Sequence, residues 1–123
     1  MQQQIKILIV DDEDDFRITM VKRLIKRGFD ADAAGDCGEA LEKLETMAAD
    51  VVLLDVKMHS MDGLECLKLI KKKRPHTAVI MLTAHASITA GVEGMKLGAF
   101  DYCLKPIDLS RILERIQMAC RIR

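Results

Sequence analysis

Ile7-Leu8-Ile9-Val10-Asp11-Asp12 is a run of four apolar residues that stops on two carboxylates. An unbroken apolar run of this length reads as a strand buried on both faces, because neither alternating face meets water. The pattern returns in Val51-Val52-Leu53-Leu54 before Asp55, and in Val79-Ile80-Met81-Leu82 before Thr83. Lys105-Pro106 closes a fourth, mixed run from Phe100 to Leu104. In a parallel sheet all four point the same way. Asp11, Asp12, Asp55, Thr83 and Lys105 are then expected on one edge, where open α/β sheets place their sites.

Helical patterns separate these strands. Phe16, Met20 and Leu24 recur every four residues within 14–27, marking one buried stripe, and Gly28 terminates that helix. A weakly apolar strand over 29–34 is followed by a helix over 37–48 with Leu41, Leu44 and Ala48 inward. After the strand at 51–55, a helix over 63–73 carries Leu64, Leu67 and Ile70 and is stopped by Pro75. The strand at 77–83 is followed by a helix over 87–97. The last helix, 108–120, places Leu109, Ile112, Leu113 and Ile116 on its inner face. The mixed second and fifth strands belong at the edges and the apolar first, third and fourth inside. This predicts an α/β fold, a flavodoxin-like doubly wound parallel sheet of order 2-1-3-4-5 with five helices on its two faces, and a crevice between strands one and three.

Composition narrows the function classes. The 123 residues, half of them apolar, suit one domain filling 1–123 with its own core. Nineteen basic residues balance nineteen acidic ones, so there is no global attraction to nucleic acid or anionic lipid. The N-terminal Met1-Gln2-Gln3-Gln4 lacks the features of a signal peptide, and no apolar run approaches the ~20 residues that cross a bilayer. A soluble cytoplasmic protein without a membrane partner is expected. Cys37, Cys66, Cys103 and Cys120 form no C-x-x-C pair and have no nearby histidine partners, so they read as reduced thiols.

Three carboxylates on one edge repel one another unless some are protonated or a cation sits among them. Magnesium suits such oxygen ligands, and it commonly shares one or two carboxylates with a phosphate oxygen. With Lys105 holding another phosphoryl oxygen and Thr83 supplying a hydroxyl, the set fits phosphoryl transfer to an aspartate nucleophile. Taken singly, each residue has a plainer reading. Asp-Asp after a strand is a turn or helix cap, threonine is a common strand residue, and Lys-Pro is a solvated loop. The ordered conjunction, one residue at the same end of each strand, carries the argument.

From end to end the chain resembles the receiver domain of two-component response regulators. The resemblance rests on Ile7 to Glu13, on Val51 to Asp55 with Met61-Asp62-Gly63, on Leu82-Thr83-Ala84, and on Asp101-Tyr102-Cys103-Leu104-Lys105-Pro106. It implies that Asp55 is the phosphoacceptor for a sensor histidine kinase. Asp12 and Asp55 would bind Mg2+ (or Mn2+) directly, Asp11 through a water, and Lys57 through its backbone carbonyl. It also implies that Thr83 and Lys105 contact the phosphoryl oxygens, that the Lys105-Pro106 bond is cis, and that Thr83 and Tyr102 switch the face made by the fourth helix, fifth strand and fifth helix. That face would engage an output domain, a downstream protein or a second phosphorylated copy. Such a domain is no enzyme in the metabolic sense, although it assists its own phosphotransfer and dephosphorylation. The stretch Thr83 to Ser87, with Ala99 to Tyr102, is similar to nitrogen-regulator receivers that precede an ATPase and act on transcription. Arg121-Ile122-Arg123 fits either the cut end of a longer regulator or a true terminus.

Departures from the family pattern are local. His59 and Ser60 stand where proline and glycine are usual; His59 reads as an exposed bystander, the alternative being that its titration makes phosphoryl lifetime pH-dependent near neutrality. Lys57 and His85 occupy positions that tune hydrolysis in the family. Gly91 and Gly94 each cost their helix about 1 kcal/mol relative to alanine, which suits either a shifting element or close packing. Of the alternatives, a flavodoxin-like cofactor protein needs aromatics and a phosphate-cradling loop, where this chain has 3% aromatics and Asp-Asp-Glu. An aspartyl-phosphate phosphatase usually has a second acid where Lys57 stands. A receiver-like interaction module that is never phosphorylated is the third.

Overall fold

Strand alternation decides the architecture. The computed structural model describes residues 4–58, 62–84 and 88–122, so His59, Ser60, Met61, His85, Ala86 and Ser87 lie outside the described residues. Five strands, β1 (Lys6–Val10), β2 (Asp30–Ala34), β3 (Val51–Asp55), β4 (Ala78–Ala84) and β5 (Asp101–Lys105), form one parallel sheet of order β2-β1-β3-β4-β5. Between and after them run α1 (Asp14–Lys26), α2 (Cys37–Lys43), α3 (Gly63–Lys73), α4 (Ile88–Lys96) and α5 (Leu109–Ile122).

Ile7, Ile9, Val51, Leu53, Ile80 and Leu82 face one side, where Met20 and Leu24 of α1 and Ile112 and Ile116 of α5 cover them. Leu8, Val10, Val52, Leu54, Val79 and Met81 face the other, against α2, α3 and Ala99. Every apolar residue of β1 from Ile7 and of β3 is 0% exposed, which is why those segments contain no polar break before the carboxylates.

Two turns depend on glycine: Gly28 after α1 has φ 92° and Gly98 after α4 has φ 104°, a region costly for residues with a Cβ. A third glycine is fixed by space. Gly63 donates its N–H to Val56 O at 2.8 Å, and a Cβ there would lie 2.5 Å from that oxygen and 2.6 Å from Asp55 O.

The structure departs from the sequence reading in two places. The helix expected over 37–48 ends at Lys43, and the chain then turns through Glu45 N–H to Glu42 O and Thr46 N–H to Lys43 O. Arg74, thirty residues on, donates to Leu44 O at 2.8 Å and Glu45 O at 3.4 Å, claiming carbonyls that a longer helix would use. Ala48 is consequently exposed and Ala49 buried. The cysteines also differ from four reduced thiols. Cys37 and Cys66 are joined in a disulfide across α2 and α3, with Cα atoms 5.8 Å apart, while Cys103 and Cys120 are free. Both bridged residues belong to the same buried cluster, and their separation falls in the bridging range.

Gly63→Ala drives a Cβ into backbone oxygens that cannot rotate away, so it should destabilise the fold by about 1–3 kcal/mol, the usual cost of overpacking. Gly38→Ala, whose Cβ would meet only Asp36 Oδ1 at 3.4 Å, is the control. A lower urea midpoint for Gly63→Ala alone is the expected result.

Candidate functional site

The carboxyl ends of β1, β3, β4 and β5 meet beside the crevice between β1 and β3, and the acids gather there. Asp11, Asp12 and Asp55 each offer a carboxylate oxygen within 4.8 Å of the others. Asp11 is 0% and Asp55 6% exposed, with Asp12 half-buried. Alternation explains the convergence: Asp11 continues the row of Ile7 and Ile9, Asp55 that of Val51 and Leu53, and Lys105 follows Cys103 on the same face.

Lys105 is the cation of the cluster. Its Nζ lies 2.9 Å from Asp11 Oδ2, 3.6 Å from Asp55 Oδ1 and 3.9 Å from Glu13 Oε1. Burial disfavours the ammonium, but the hydrogen bond and charge of Asp11, with the charges of Asp55 and Glu13, outweigh it and raise the Lys105 pKa above its ordinary value. The Phe16 ring sits 4.8 Å from Nζ, a cation–π contact that screens the ammonium from solvent. The Lys105–Pro106 peptide bond is cis.

Asp11 also serves the turn. Its Oδ1 accepts from Glu13 N–H at 2.9 Å, its N–H donates to Ala34 O at 3.1 Å, and Arg17 Nη1 donates to its carbonyl at 2.7 Å. The plain turn reading of Asp-Asp therefore describes one carboxylate oxygen and leaves the other to Lys105. The N-cap of α1 is Glu13, which makes no side-chain cap bond. Lys57 donates its N–H to Asp55 Oδ1 at 3.3 Å, and its exposed residue forms an isolated bridge with Asp62.

Two other sequence-predicted residues, Thr83 near the end of β4 and Tyr102 in β5, lie on the neighbouring strands. Thr83 is fully buried and donates its hydroxyl to Ala84 O at 3.2 Å; by alternation it continues the row of Val79 and Met81, the face opposite Asp55. Tyr102 is half-buried, pairs with Met81 two rows below Thr83, and packs with that same face. A Cβ at Gly91 of α4 would lie 3.0 Å from Tyr102 Cδ2, and one at Gly94 would lie 3.2 Å from Met81 Cγ. Close packing thus accounts for both glycines. Sequence reasoning placed Phe16 only in the buried stripe of α1 and passed over Arg17. A helix position one turn beyond the acid pair was the available signal for both.

The donor set fits a small hard cation: three carboxylates each offer an oxygen within reach of the others. Without a cation, the arrangement strains Asp55. Burial chiefly raises its carboxyl pKa from 3.8 to about 6, Lys105 lowers it, and Asp11 raises it again. A raised acid pKa means the native state keeps the proton longer than the unfolded chain does. The associated stability is complete below pH 3.8 and is lost as pH rises through about 6. Asp55→Asn removes the charge, so the metal-free variant should be more stable at pH 7 by roughly 2–3 kcal/mol, with the gain shrinking toward pH 4. Urea unfolding at the two pH values measures this, and an unchanged midpoint at pH 7 would contradict it.

Residues 7–117 match the family model of the response regulator receiver domain. The regulatory protein AtoC of Escherichia coli (strain K12) is 37% identical over 118 residues, 96% of this chain and 26% of AtoC. The DNA-binding transcriptional regulator NtrC of the same organism is 36% identical over 113 residues, 92% of this chain and 24% of NtrC. The chain therefore spans about a quarter of the length of these curated relatives. Among solved structures, the receiver domain of NtrX from Brucella abortus superposes with a TM-score of 0.90 at 32% identity, covering 95% of this chain and 99% of that one. A receiver domain protein from Clostridium thermocellum gives 0.89 at 34%, covering 94% and 93%. The parallel order β2-β1-β3-β4-β5, the acid cluster at its crevice and these matches have one meaning: the chain belongs to the response regulator receiver family, the signalling domains of two-component systems.

Proposed function

We propose that the chain acts as one receiver domain whose Asp55 accepts a phosphoryl group from a histidine of a sensor kinase. The carrying observation is Lys105 Nζ set between Asp11 and Asp55, at 2.9 and 3.6 Å, from a strand remote in sequence. An ammonium in that position neutralises one side of an incoming phosphoryl group and stabilises its equatorial oxygens during in-line transfer. The P–N bond of the phosphohistidine breaks as the P–O bond to the Asp55 carboxylate forms.

Asp12 and Asp55 would hold Mg2+, or Mn2+, directly, with Asp11 acting through a water and Lys57 through its carbonyl. The ion supplies charge neutralisation between carboxylates and phosphoryl oxygens. Asp11, already bonded to Lys105, keeps the lysine aimed. Thr83 would turn its hydroxyl toward the new oxygens.

Thr83 and Tyr102 share a sheet face on neighbouring strands, and Tyr102 lies against Gly91, so movement at Thr83 has a short route to α4. The output surface in this reading is α4-β5-α5. Those elements expose Val92, Met95, Leu104 and Met118, and a groove of about 540 Å³ runs past Tyr102, Arg111 and Arg115. An output domain, a downstream protein or a second phosphorylated copy would dock there, with transcriptional control as the outcome and no nucleic-acid contact by this domain. Cytoplasmic residence belongs to the same proposal. No described helix is long and apolar enough to cross a membrane, while the Cys37–Cys66 bridge is unusual for a reducing compartment.

Incubation with acetyl phosphate and Mg2+ should add one phosphoryl group by intact mass, and Asp55→Ala should abolish it. Unmodified wild-type protein would count against the reading. With one tyrosine and no tryptophan in the chain, Tyr102 emission reports its own surroundings. Beryllofluoride with Mg2+ should change that emission in wild type and leave Asp55→Ala unaltered.

A further inference from the structure

We propose that Arg17 is a positioning residue for the metal site: its guanidinium holds the Asp11–Asp12 peptide in the orientation that lets Asp12 meet a divalent cation. The inference rests on the reading of the acids as a cation site.

Every polar atom of Asp11 that an interaction fixes has a different partner. Ala34 takes the N–H, Glu13 N–H binds Oδ1, Lys105 binds Oδ2, and among the described residues Arg17 reaches the carbonyl, at 2.7 Å. That carbonyl belongs to the peptide group joining Asp11 to Asp12. A peptide group is planar, so holding its oxygen also fixes the plane from which the Asp12 Cα–Cβ bond departs. The other three bonds hold Asp11 itself, whereas the Arg17 bond bears on the peptide it shares with Asp12.

Arg17 is itself held in place. Nη2 pairs with Asp14 Oδ1 on the first turn of α1, and the side chain is only 21% exposed. On its other side lies Gly35, where a Cβ would stand 3.2 Å from Nη1 and 3.4 Å from Cζ. The loop after β2 thus leaves room for the guanidinium by carrying no side chain. A planar fork with several donors can serve Asp11 O and Asp14 together, which an ammonium cannot do in the same geometry.

The competing account is that Arg17 only offsets the negative charge of the cluster. The two accounts predict opposite signs. Removing a nearby positive charge strengthens cation binding by Coulomb attraction, whereas releasing the Asp11–Asp12 peptide weakens it. Outer partners that orient metal ligands typically contribute tenfold or more to affinity.

The test is Mn2+ affinity of the full chain, read from the spin-resonance signal of free Mn2+, with metal-free melting measured alongside. Arg17→Ala should bind Mn2+ about tenfold more weakly. Arg17→Gln, which keeps a donor and loses the charge, should recover much of that loss. Gly35→Ala, which keeps Arg17 and crowds its guanidinium, should weaken binding in the same direction. Affinity in Arg17→Ala equal to or above wild type would overturn the proposal. Should Arg17→Ala fail to fold, unchanged affinity in Gly35→Ala would overturn it instead. Asp12→Ala separates the two levels. If wild type binds Mn2+ and Asp12→Ala does not, a null result at Arg17 overturns this inference alone. If wild type does not bind Mn2+, the cation-site reading falls and this one with it.

Discussion

The mutual repulsion of carboxylates at the mouth of the β1–β3 crevice, and the single ammonium that opposes it, organise the structure around them. Two unit charges about 4 Å apart interact by about 4 kcal/mol at an effective dielectric of 20. That is a large fraction of the stability of a domain this size. Lys105 can oppose the repulsion only if β5 runs parallel to β1 and ends at the same edge. The sheet order in turn requires crossover helices on both faces, and hence strands with no exposed face. The apolar runs of β1 and β3 and the charged residues that end them are therefore two consequences of one topology.

Much of this was legible in the residues. Ile7 to Val10 and Val51 to Leu54 show no polar break because they are buried on both sides, and Asp30-Ala31-Asp32 shows its edge position by its mixed character. The acids and Lys105 could be placed on one edge because a strand's direction and alternation carry a residue's position to the end of the element. What escaped the sequence depends on side chains that cross between elements. Arg74 ends α2 by taking carbonyls thirty positions earlier, and no local propensity encodes that. Cys37 and Cys66 stand 29 residues apart with no motif between them, and only the packing of α2 on α3 brings them together. Phe16 fits the apolar stripe of α1 so well that its second use, against the Lys105 ammonium, has no separate signature.

The two glycine contacts, one at the start of α3 and one in α4, differ in kind. Gly63 presses on carbonyl oxygens of Asp55 and Val56, whereas Gly91 presses on the ring of Tyr102. Backbone packed on backbone has no rotamer to change, and its movement requires the helix and the strand end to part. A ring packed on a helix can turn about two torsions without breaking the sheet ladder. Under the proposed function, charge arriving at Asp55 would meet backbone packed on backbone at α3, while the β5–α4 packing keeps an adjustable ring.

That asymmetry gives the α4 side its proposed role on mechanical grounds, apart from any likeness to relatives. In the proposed function a phosphoryl group would bring nearly two further negative charges to a place that already holds three carboxylates. The work of accommodating it would fall on whatever yields first. In the proposed reading Thr83 would yield by rotating its hydroxyl, which donates to Ala84 O at 3.2 Å. Tyr102 lies two rows away on the same face. Gly91 and Gly94 weaken α4 as a helix by about 1 kcal/mol each, while letting it sit close to Tyr102 and Met81. The helix packed on the adjustable ring is thus also one whose two glycines lower its own resistance to displacement.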